Sequence, residues 1–296
     1  MNPTETSPEN RYTDYDPWAW LYNKSEAHLA AARVFPLIEK LLIPKLGSNA
    51  KIFDLCCGTG QLSQELLTRG YQVIGLDGSE QMLSYARQNA PNGEFILGDA
   101  RSFQIEPKSF NAAICTDSAL NHMMNLEDLK LVFQNIYNIL QDDGLFLFDL
   151  GLENRYSNIA IADGEMQENY AWTVGETYDS TSNLGSFTIT MFQPNEEQIG
   201  KKSNLFRSIS YSFKRLIYNK FFRNINPAKL LDLVEKDWQS SKIDFSVRPH
   251  AKAEICSLLT EVGFTSFEIY DSSGQLAKPQ EARDACFLAR KLAALS

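Results

Sequence analysis

Two acids and two glycines stand at a spacing that could bind a nucleoside. The segment Gly58-Thr59-Gly60 is preceded by Asp54 and followed by Asp77, which comes 19 positions after Gly58. Because glycine lacks a Cβ, the backbone can turn sharply there and a ligand can approach it closely. An acid about 20 residues after such a loop is placed to reach a ribose diol. The spacing therefore predicts a site for a ligand that carries a ribose.

The residues around this loop also indicate what the rest of the ligand carries. A dinucleotide site would have a third glycine near position 63 and a helix N-terminus that receives pyrophosphate, whereas position 63 is Ser63. A carboxylate at Asp54 would repel phosphate and would suit an ammonium group. S-adenosyl-L-methionine has a ribose, an α-ammonium and a sulfonium, and no phosphate. The chemistry favours it as the cofactor, with S-adenosyl-L-homocysteine as the product.

Alternating strands and helices are predicted to position these residues. Apolar runs at 52–55, 73–76, 94–97, 110–116 and 145–150 predict strands, and helical spacing at 61–69, 79–89 and 126–140 predicts helices. This rhythm predicts an α/β fold with a doubly wound sheet. In such sheets ligands bind outside the carboxyl ends of the strands, so we expect the site at that edge.

Three segments carry a resemblance to a known family. The runs DLCCGTG (54–60), GLDGSEQM (75–82) and GDA (98–100) resemble class I S-adenosylmethionine-dependent methyltransferases of the small-molecule type. The likeness covers roughly residues 12–150 and resumes near 250–290. It implies an enzyme with a seven-stranded, mostly parallel, Rossmann-like sheet that closes on a hairpin at 265–270 and 285–288. In this family an aliphatic residue usually stands at the position of Gly78, a departure that touches only a loop.

The resemblance also implies roles for single residues. The Asp99 carboxylate would accept from the adenine amino group, and the Ala100 backbone N–H would donate to the ring. A Tyr-Asp pair on an N-terminal helix closes over the cofactor in such families, and Tyr15-Asp16 and Tyr22-Asn23 are similar to it; the alternative is an aromatic core helix. The predicted cofactor contacts are Tyr22, Asp54, Cys56, Gly58, Gly60, Asp77, Gly78, Met82, Asp99, Ala100, Asp117 and Ser118.

The loop after the fourth strand is the predicted place of acceptor chemistry. Methyl transfer is an in-line displacement, so alignment and exclusion of water are the main tasks. An N or O acceptor must also lose a proton, and His122 in this loop has the residue type for a general base. Asp117 is the other candidate base; alternatively it orients the cationic end of the cofactor, and His122 is a surface or core residue. The predicted acceptor contacts are Trp18, Asn121 and His122.

The rhythm of strands and helices stops between residues 151 and 250. We predict that 11–150 and 251–296 form the cofactor-binding domain, that 1–10 is a disordered start, and that 151–250 is an inserted α+β segment of antiparallel strands and helix that reads the acceptor. Two strands, 171–178 and 186–192, are expected in the insertion. Residues 198–231 hold eight basic residues and no acid, with aromatics between them. This stretch is either a solvated face or a site for an anionic acceptor, a membrane surface or RNA.

Composition favours a cytoplasmic protein that acts on a small molecule. The chain has 296 residues and a net charge of -9, which argues against nucleic acid as the default partner. No apolar run approaches the length of a membrane span, and the five cysteines lack metal-type spacing. No metal is predicted, and the expected assembly is a monomer or a homodimer. A methyltransferase acting on RNA or a lipid-like anion, and a non-catalytic nucleoside-binding partner protein, are the alternatives.

Overall fold

The computed structural model describes residues 11–152, 162–167, 169–194, 238–277 and 284–293. Two compact units are present. The first comprises Met1–Arg155 and Arg248–Ser296, and the second is Tyr156–Val247. The predicted disordered start, the basic stretch 198–231 and the helix expected in the insertion lie outside the described residues.

A seven-stranded sheet forms the centre of the first unit. Its strands in chain order are β1 (Lys51–Leu55), β2 (Gln72–Asp77), β3 (Glu94–Leu97), β4 (Phe110–Cys115), β5 (Leu140–Gly151), β10 (Ser266–Tyr270) and β11 (Asp284–Arg290). The spatial order is β10-β11-β5-β4-β1-β2-β3. The first five strands pair in parallel, and β11 runs antiparallel to both β5 and β10. The predicted doubly wound sheet and its closing hairpin are confirmed.

The strand order reverses between β1 and β4, which places a crevice at their carboxyl ends. Both strands are almost entirely buried, as expected for parallel strands covered on both faces. The apolar stripe of one flanking helix, Leu129, Val132, Phe133 and Ile136, packs in the same core as Phe146 and Phe148 of β5. The sheet therefore gives the loops at its edge a rigid base.

The helices of the first unit follow the predicted pattern. They are α1 (Ala19–Lys24), α2 (Ala27–Leu41), α3 (Gln61–Thr68), α4 (Glu80–Asn89), α5 (Leu126–Ile139) and α6 (Lys252–Val262). Ser79 caps α4 by accepting from the Met82 N–H, and Asn125 caps α5 by accepting from the Asp128 N–H. Gly70 and Gly263 take a positive φ just after α3 and α6, as helix-terminating glycines do.

The second unit contains a four-stranded antiparallel sheet in the order β6-β7-β8-β9. Its strands are β6 (Ala162–Met166), β7 (Ala171–Asp179), β8 (Leu184–Pro194) and β9 (Trp238–Val247). The predicted hairpin at 171–192 is confirmed by the β7–β8 pairing. Strand β9 was not predicted, although Ile243, Phe245 and Val247 alternate with polar residues as a half-buried strand requires.

One boundary differs from the sequence prediction, and one helix contains a proline. Strand β5 begins at Leu140 and not at Leu145, with a register shift opposite Phe110–Ala112 that absorbs the Asp142-Asp143-Gly144 segment. Pro36 does not interrupt α2, which continues through it to Leu41. Proline removes a single hydrogen bond, and the apolar face of α2, including Val34, Phe35, Ile38 and Leu41, is buried in the core. We attribute the continuity of the helix to that packing.

Candidate functional site

The loop between β1 and α3 takes a backbone conformation that favours glycine. The φ angles of Cys56, Gly58 and Gly60 are +58°, +53° and +81°, all in the left-handed region. At Gly60 an added Cβ would lie 2.9 Å from the Cα of Ala86, so α3 begins directly against α4. The glycines are thus needed for the turn and for close approach of two helices.

Asp77 joins this loop to the turn after β2. One carboxylate oxygen accepts from the Gly58 N–H at 2.9 Å, and the other accepts from the Ser79 N–H at 2.9 Å. Burial raises the pKa of Asp77, while these backbone N–H groups act in the opposite direction. The acid therefore holds both turns that border the crevice, and each oxygen keeps lone pairs for a ligand hydroxyl.

Asp54 is a buried carboxyl at the floor of the same crevice. Its side chain is 2% exposed, and its Oδ2 accepts from Ser63 Oγ at 2.6 Å. Burial raises the pKa of Asp54 to about 7; the Ser63 hydrogen bond opposes this shift and nearby Asp77 adds to it. Ser63 occupies the position of the missing third glycine, and the structure gives it a function there as the hydrogen-bond donor to the acid.

A cleft opens beside the glycine loop and Asp54. Backbone and side chains of the glycine loop, β1, the loop after β4 and the two N-terminal helices line it: Tyr22, Ala27, Ala30, Ala31, Val34, Asp54, Cys56, Cys57, Gly58, Thr59, Gln61, Leu62, Thr116 and Asp117. Five predicted cofactor contacts are in this set, namely Tyr22, Asp54, Cys56, Gly58 and Asp117. The cleft is thus lined by two carboxylates, Asp54 and Asp117, and by apolar residues of α2, while Asp77 and Gly60 are outside this set.

The N-terminal segment is tied to the cleft by side chains. The side-chain oxygen Oδ1 of Asn23 accepts from the side-chain amide nitrogens of Gln61 and Asn89, at 2.8 and 2.7 Å. The Asp16 carboxylate accepts from the Ser79 hydroxyl and from the Gln81 N–H. These contacts fix residues 16–23 against the turns that follow β1 and β2.

The chain matches known proteins over the part that builds this cleft. Residues 52–144 match the family model described as a methyltransferase domain. The putative methyltransferase YqeM of Bacillus subtilis (strain 168) is 28% identical over 165 residues, which are 53% of this chain and 65% of that protein. The glycine/sarcosine N-methyltransferase of Aphanothece halophytica is 30% identical over 104 residues, covering 33% of this chain and 39% of that protein.

Solved structures share the whole fold. An S-adenosylmethionine-dependent methyltransferase from Clostridium acetobutylicum ATCC 824 superposes with a TM-score of 0.68 at 16% identity, over 94% of this chain and 99% of that one. Residues 52–144 of this chain thus form a methyltransferase domain, within the fold of S-adenosylmethionine-dependent methyltransferases. The sugar N-methyltransferase KedS8 from Streptoalloteichus sp ATCC 53650 has the same fold, with a TM-score of 0.64 at 11% identity over 99% and 98% of the two chains.

The polar groups around the glycine loop fit S-adenosylmethionine, the cofactor of such methyltransferases. Two carboxylates, Asp54 and Asp77, border the glycine loop, and a cationic ligand with a ribose needs both kinds of acceptor. A Cβ added to Gly58 would lie 3.5 Å from the Tyr22 ring, in van der Waals contact with it. The absence of a side chain at Gly58 therefore leaves space between the loop and this ring. The cradle suits a ligand that lies close to the backbone.

The predicted adenine contacts follow β3. Asp99 pairs with Arg101, whose Nη2 lies 2.6 Å from Oδ2, and Arg101 also reaches Asp128 at 3.2 Å. Ala100 and Met82 are 2% and 3% exposed, so any contact they make is through backbone or a buried edge. The roles of these residues toward the cofactor remain predictions, as do those of the other predicted cofactor contacts.

His122 has a phenol as its partner. The Tyr15 hydroxyl lies 2.5 Å from His122 Nε2, and the two rings meet edge to face at 5.5 Å. Burial raises the pKa of Tyr15 well above its usual value, and Asp77 adds to the shift, so the phenol keeps its proton. The imidazole tautomer decides whether the phenol donates to Nε2 or accepts from an Nε2–H. The sequence did not predict this pair, because 107 positions separate the two residues.

Asp117 is paired as well. It accepts from Arg33 Nη2 of α2 at 2.8 Å, and both side chains are largely exposed. Asp117 and Ser118 both have a left-handed φ, near +60°, and the Ser118 N–H donates to Asp149 at 2.7 Å. The backbone is thus turned sharply at the end of β4, beside the cleft.

The Asn121 side chain is hydrogen-bonded to the backbone of two other segments. It is fully buried, and its amide exchanges two hydrogen bonds with the Gly151 backbone and donates a third to the Arg248 carbonyl. The side chain thus holds these two backbone segments together, and its predicted contact with the acceptor stays a prediction. Trp18 is 8% exposed and packs 5.7 Å from the Tyr22 ring; its acceptor contact stays a prediction.

Proposed function

We propose that the protein transfers the methyl group of S-adenosylmethionine to a small-molecule nitrogen or oxygen acceptor, with an amine as the favoured class. The observation that carries the proposal is the cleft at the carboxyl ends of β1 and β4, where Asp54 and Asp77 border the glycine loop. Asp54 lines the cleft as an acceptor for a cation, and Asp77, hydrogen-bonded to the Gly58 N–H, would be the acceptor for a ribose. The sulfonium supplies the methyl group; this chain's residues bind and orient both reactants.

The acceptor side of the proposal rests on the loop after β4. His122 and Asp117 come from this loop, and Tyr15 sits against the His122 ring. In the tautomer with Nε2–H directed at the Tyr15 oxygen, Nδ1 carries the lone pair. By accepting a proton there from an ammonium acceptor, His122 would free the acceptor nitrogen for in-line attack. Asp117 would either take that proton or stabilise positive charge on the cofactor.

Known proteins support an amine over other acceptors. Glycine/sarcosine N-methyltransferases are among the relatives, and the sugar N-methyltransferase KedS8 shares the fold. Their acceptors are both small molecules with an amino nitrogen. The inserted unit is proposed to contribute to acceptor choice, as expected from its position in the sequence.

The test is an acceptor screen. The protein is incubated with S-adenosylmethionine and a panel of amines, including glycine, sarcosine and amino sugars, together with small phenols and carboxylic acids. Formation of S-adenosylhomocysteine above the acceptor-free background identifies substrates. Tight cofactor binding with no product from any acceptor would favour the nucleoside-binding partner protein, and turnover on RNA alone would favour the RNA methyltransferase.

A further inference from the structure

Asp54 is placed where a bare negative charge is poorly stabilised. Its side chain is 2% exposed on the floor of the cleft. Two carboxylate oxygens have about four acceptor sites, and the Ser63 hydroxyl fills one of them. Among the described residues, Asp54 takes part in no ion pair. A buried charge without a counter-ion is costly, so such a group either binds a proton or meets a cation.

The groups around Asp54 do not supply that cation. Asp77 at the end of β2 repels negative charge on Asp54. The α2 residues that line the cleft are apolar, and the cation on this helix, Arg33, is paired with Asp117. The remaining titratable neighbours, from the glycine loop, β4, α1 and the loop after β4, are all acids, thiols or phenols: Cys56, Cys57, Cys115, Tyr22 and Asp117. Burial raises the pKa of Asp54 to about 7, in keeping with these surroundings.

We propose that Asp54 selects the cofactor by charge: the carboxyl is protonated in a large share of ligand-free molecules near neutral pH and releases its proton to solvent when the cationic amino-acid end of the cofactor enters the cleft. This inference rests on the proposed function, since it needs S-adenosylmethionine as the ligand. The step is an exchange of one positive charge for another: a carboxylic acid and a free cation become a carboxylate paired with the bound cation, plus one released proton.

The exchange makes cofactor affinity depend on pH. Below neutrality the ligand must first displace the proton, so affinity falls roughly tenfold between about pH 8 and about pH 6. A nucleoside that lacks a positive charge leaves the carboxyl protonated and shows no such dependence. Asp54 would therefore disfavour neutral adenine nucleosides, which share the ribose and the base with the cofactor.

Isothermal titration calorimetry of the full-length protein tests the exchange. S-adenosylmethionine is titrated at the same pH in phosphate and in Tris, buffers that differ in ionisation enthalpy, and the difference in observed enthalpy gives the number of protons released. We expect about half a proton near pH 7 and close to one near pH 6. S-adenosylhomocysteine keeps the ammonium without the sulfonium, and 5′-methylthioadenosine lacks both. Release with both charged ligands assigns the exchange to the ammonium, and release with S-adenosylmethionine alone assigns it to the sulfonium.

Three variants make the result specific to this residue. Asp54→Asn keeps the shape and should abolish the release, whereas Asp117→Asn, another acid of the cleft, should retain it. Ser63→Ala removes the hydrogen bond that favours the charged form and should extend the release to higher pH, which gives a second reading if the Asn variant fails to fold. Equal enthalpies in the two buffers, or equal proton release with 5′-methylthioadenosine, would overturn the inference while cofactor binding stands. Absence of cofactor binding altogether would overturn the proposed function with it.

Discussion

The Asp77 carboxylate is the residue on which cofactor recognition is expected to depend most directly. It holds the N–H groups of Gly58 and Ser79, so it fixes the two turns before any ribose arrives. Replacement by alanine should remove a pair of charge-assisted hydrogen bonds and weaken S-adenosylmethionine binding by about 2–3 kcal/mol. Calorimetry measures the affinity, and circular dichroism checks that the fold is kept. Unchanged affinity would show that Asp77 does not touch the ribose.

The buried Asp54 makes a prediction about stability that needs no ligand. Its pKa is raised from 3.8 to about 7 by burial, so between these values the folded state binds more protons than the unfolded state. Stability is then fully present below about pH 4 and is lost as pH rises toward about 7. Asp54→Asn should stabilise the free protein above neutral pH, by on the order of 3 kcal/mol, and should flatten this part of the profile.

Urea unfolding from about pH 4 to about pH 8 measures this profile in both proteins, with the difference between wild type and variant isolating the Asp54 contribution. Glu65→Gln, on the exposed face of α3, is a matched control that should follow the wild-type profile. A variant that is no more stable than wild type above neutral pH would contradict the expected protonation of Asp54.

At the scale of elements, the contact between α3 and α4 depends on Gly60. Its φ of +81° and the 2.9 Å from an added Cβ to the Ala86 backbone predict that Gly60→Ala is destabilising by about 2–3 kcal/mol. Gly47 has no atom within 4 Å of an added Cβ, so Gly47→Ala should be neutral or slightly stabilising. Thermal unfolding of the two alanine variants compares them, and similar melting temperatures would contradict the tight contact.

Because the buried Asn121 amide is hydrogen-bonded to two backbone segments, replacing it should destabilise the loop that carries His122. Asn121→Ala would leave the N–H and C=O of Gly151 without these partners, at a cost of about 2–4 kcal/mol, whereas the exposed turn residue Asn92 should tolerate alanine within about 0.5 kcal/mol. Chemical denaturation gives both values. NMR of the imidazole nitrogens should also show a shifted His122 signal in the Asn121 variant. An unmoved signal would mean that the hydrogen bonds of the Asn121 side chain do not position the ring.

The elements themselves were largely predictable from sequence because their signals are local. Apolar runs of the right length gave β1 to β4, and Ser79 and Gly263 marked a helix start and a helix end as capping chemistry requires. Strand β9 was missed even though its residues alternate. The start of β5 was misplaced because a register shift takes up Asp142 to Gly144, and pairing partners distant in sequence determine such shifts.

At the scale of the whole molecule, the acids of the cleft were predictable and their partners were not. The spacing of Asp54 and Asp77 from the two glycines predicts that both acids belong to the site. By contrast, Tyr15 meets His122 across 107 positions and Arg33 meets Asp117 across 84, and nothing in either local sequence indicates the other residue. Only the folded chain brings these pairs together, so sequence alone left His122 and Asp117 as isolated candidates.

The hydrogen bonds of the Asn121 side chain to the backbone of Gly151 and Arg248 indicate where the chain could be shortened. Leu152 and His250 form a parallel bridge, and the Asn121 amide binds both Gly151 and Arg248, so the polypeptide leaves the seven-stranded sheet and returns to it at one place. Excising 153–247 and joining the cut ends with a flexible linker of about six residues, each spanning up to ~3.5 Å, should yield a miniature protein. We expect the shortened protein to unfold cooperatively and to bind S-adenosylhomocysteine in calorimetry. Loss of cooperative unfolding would show that the seven-stranded unit needs the excised residues to fold.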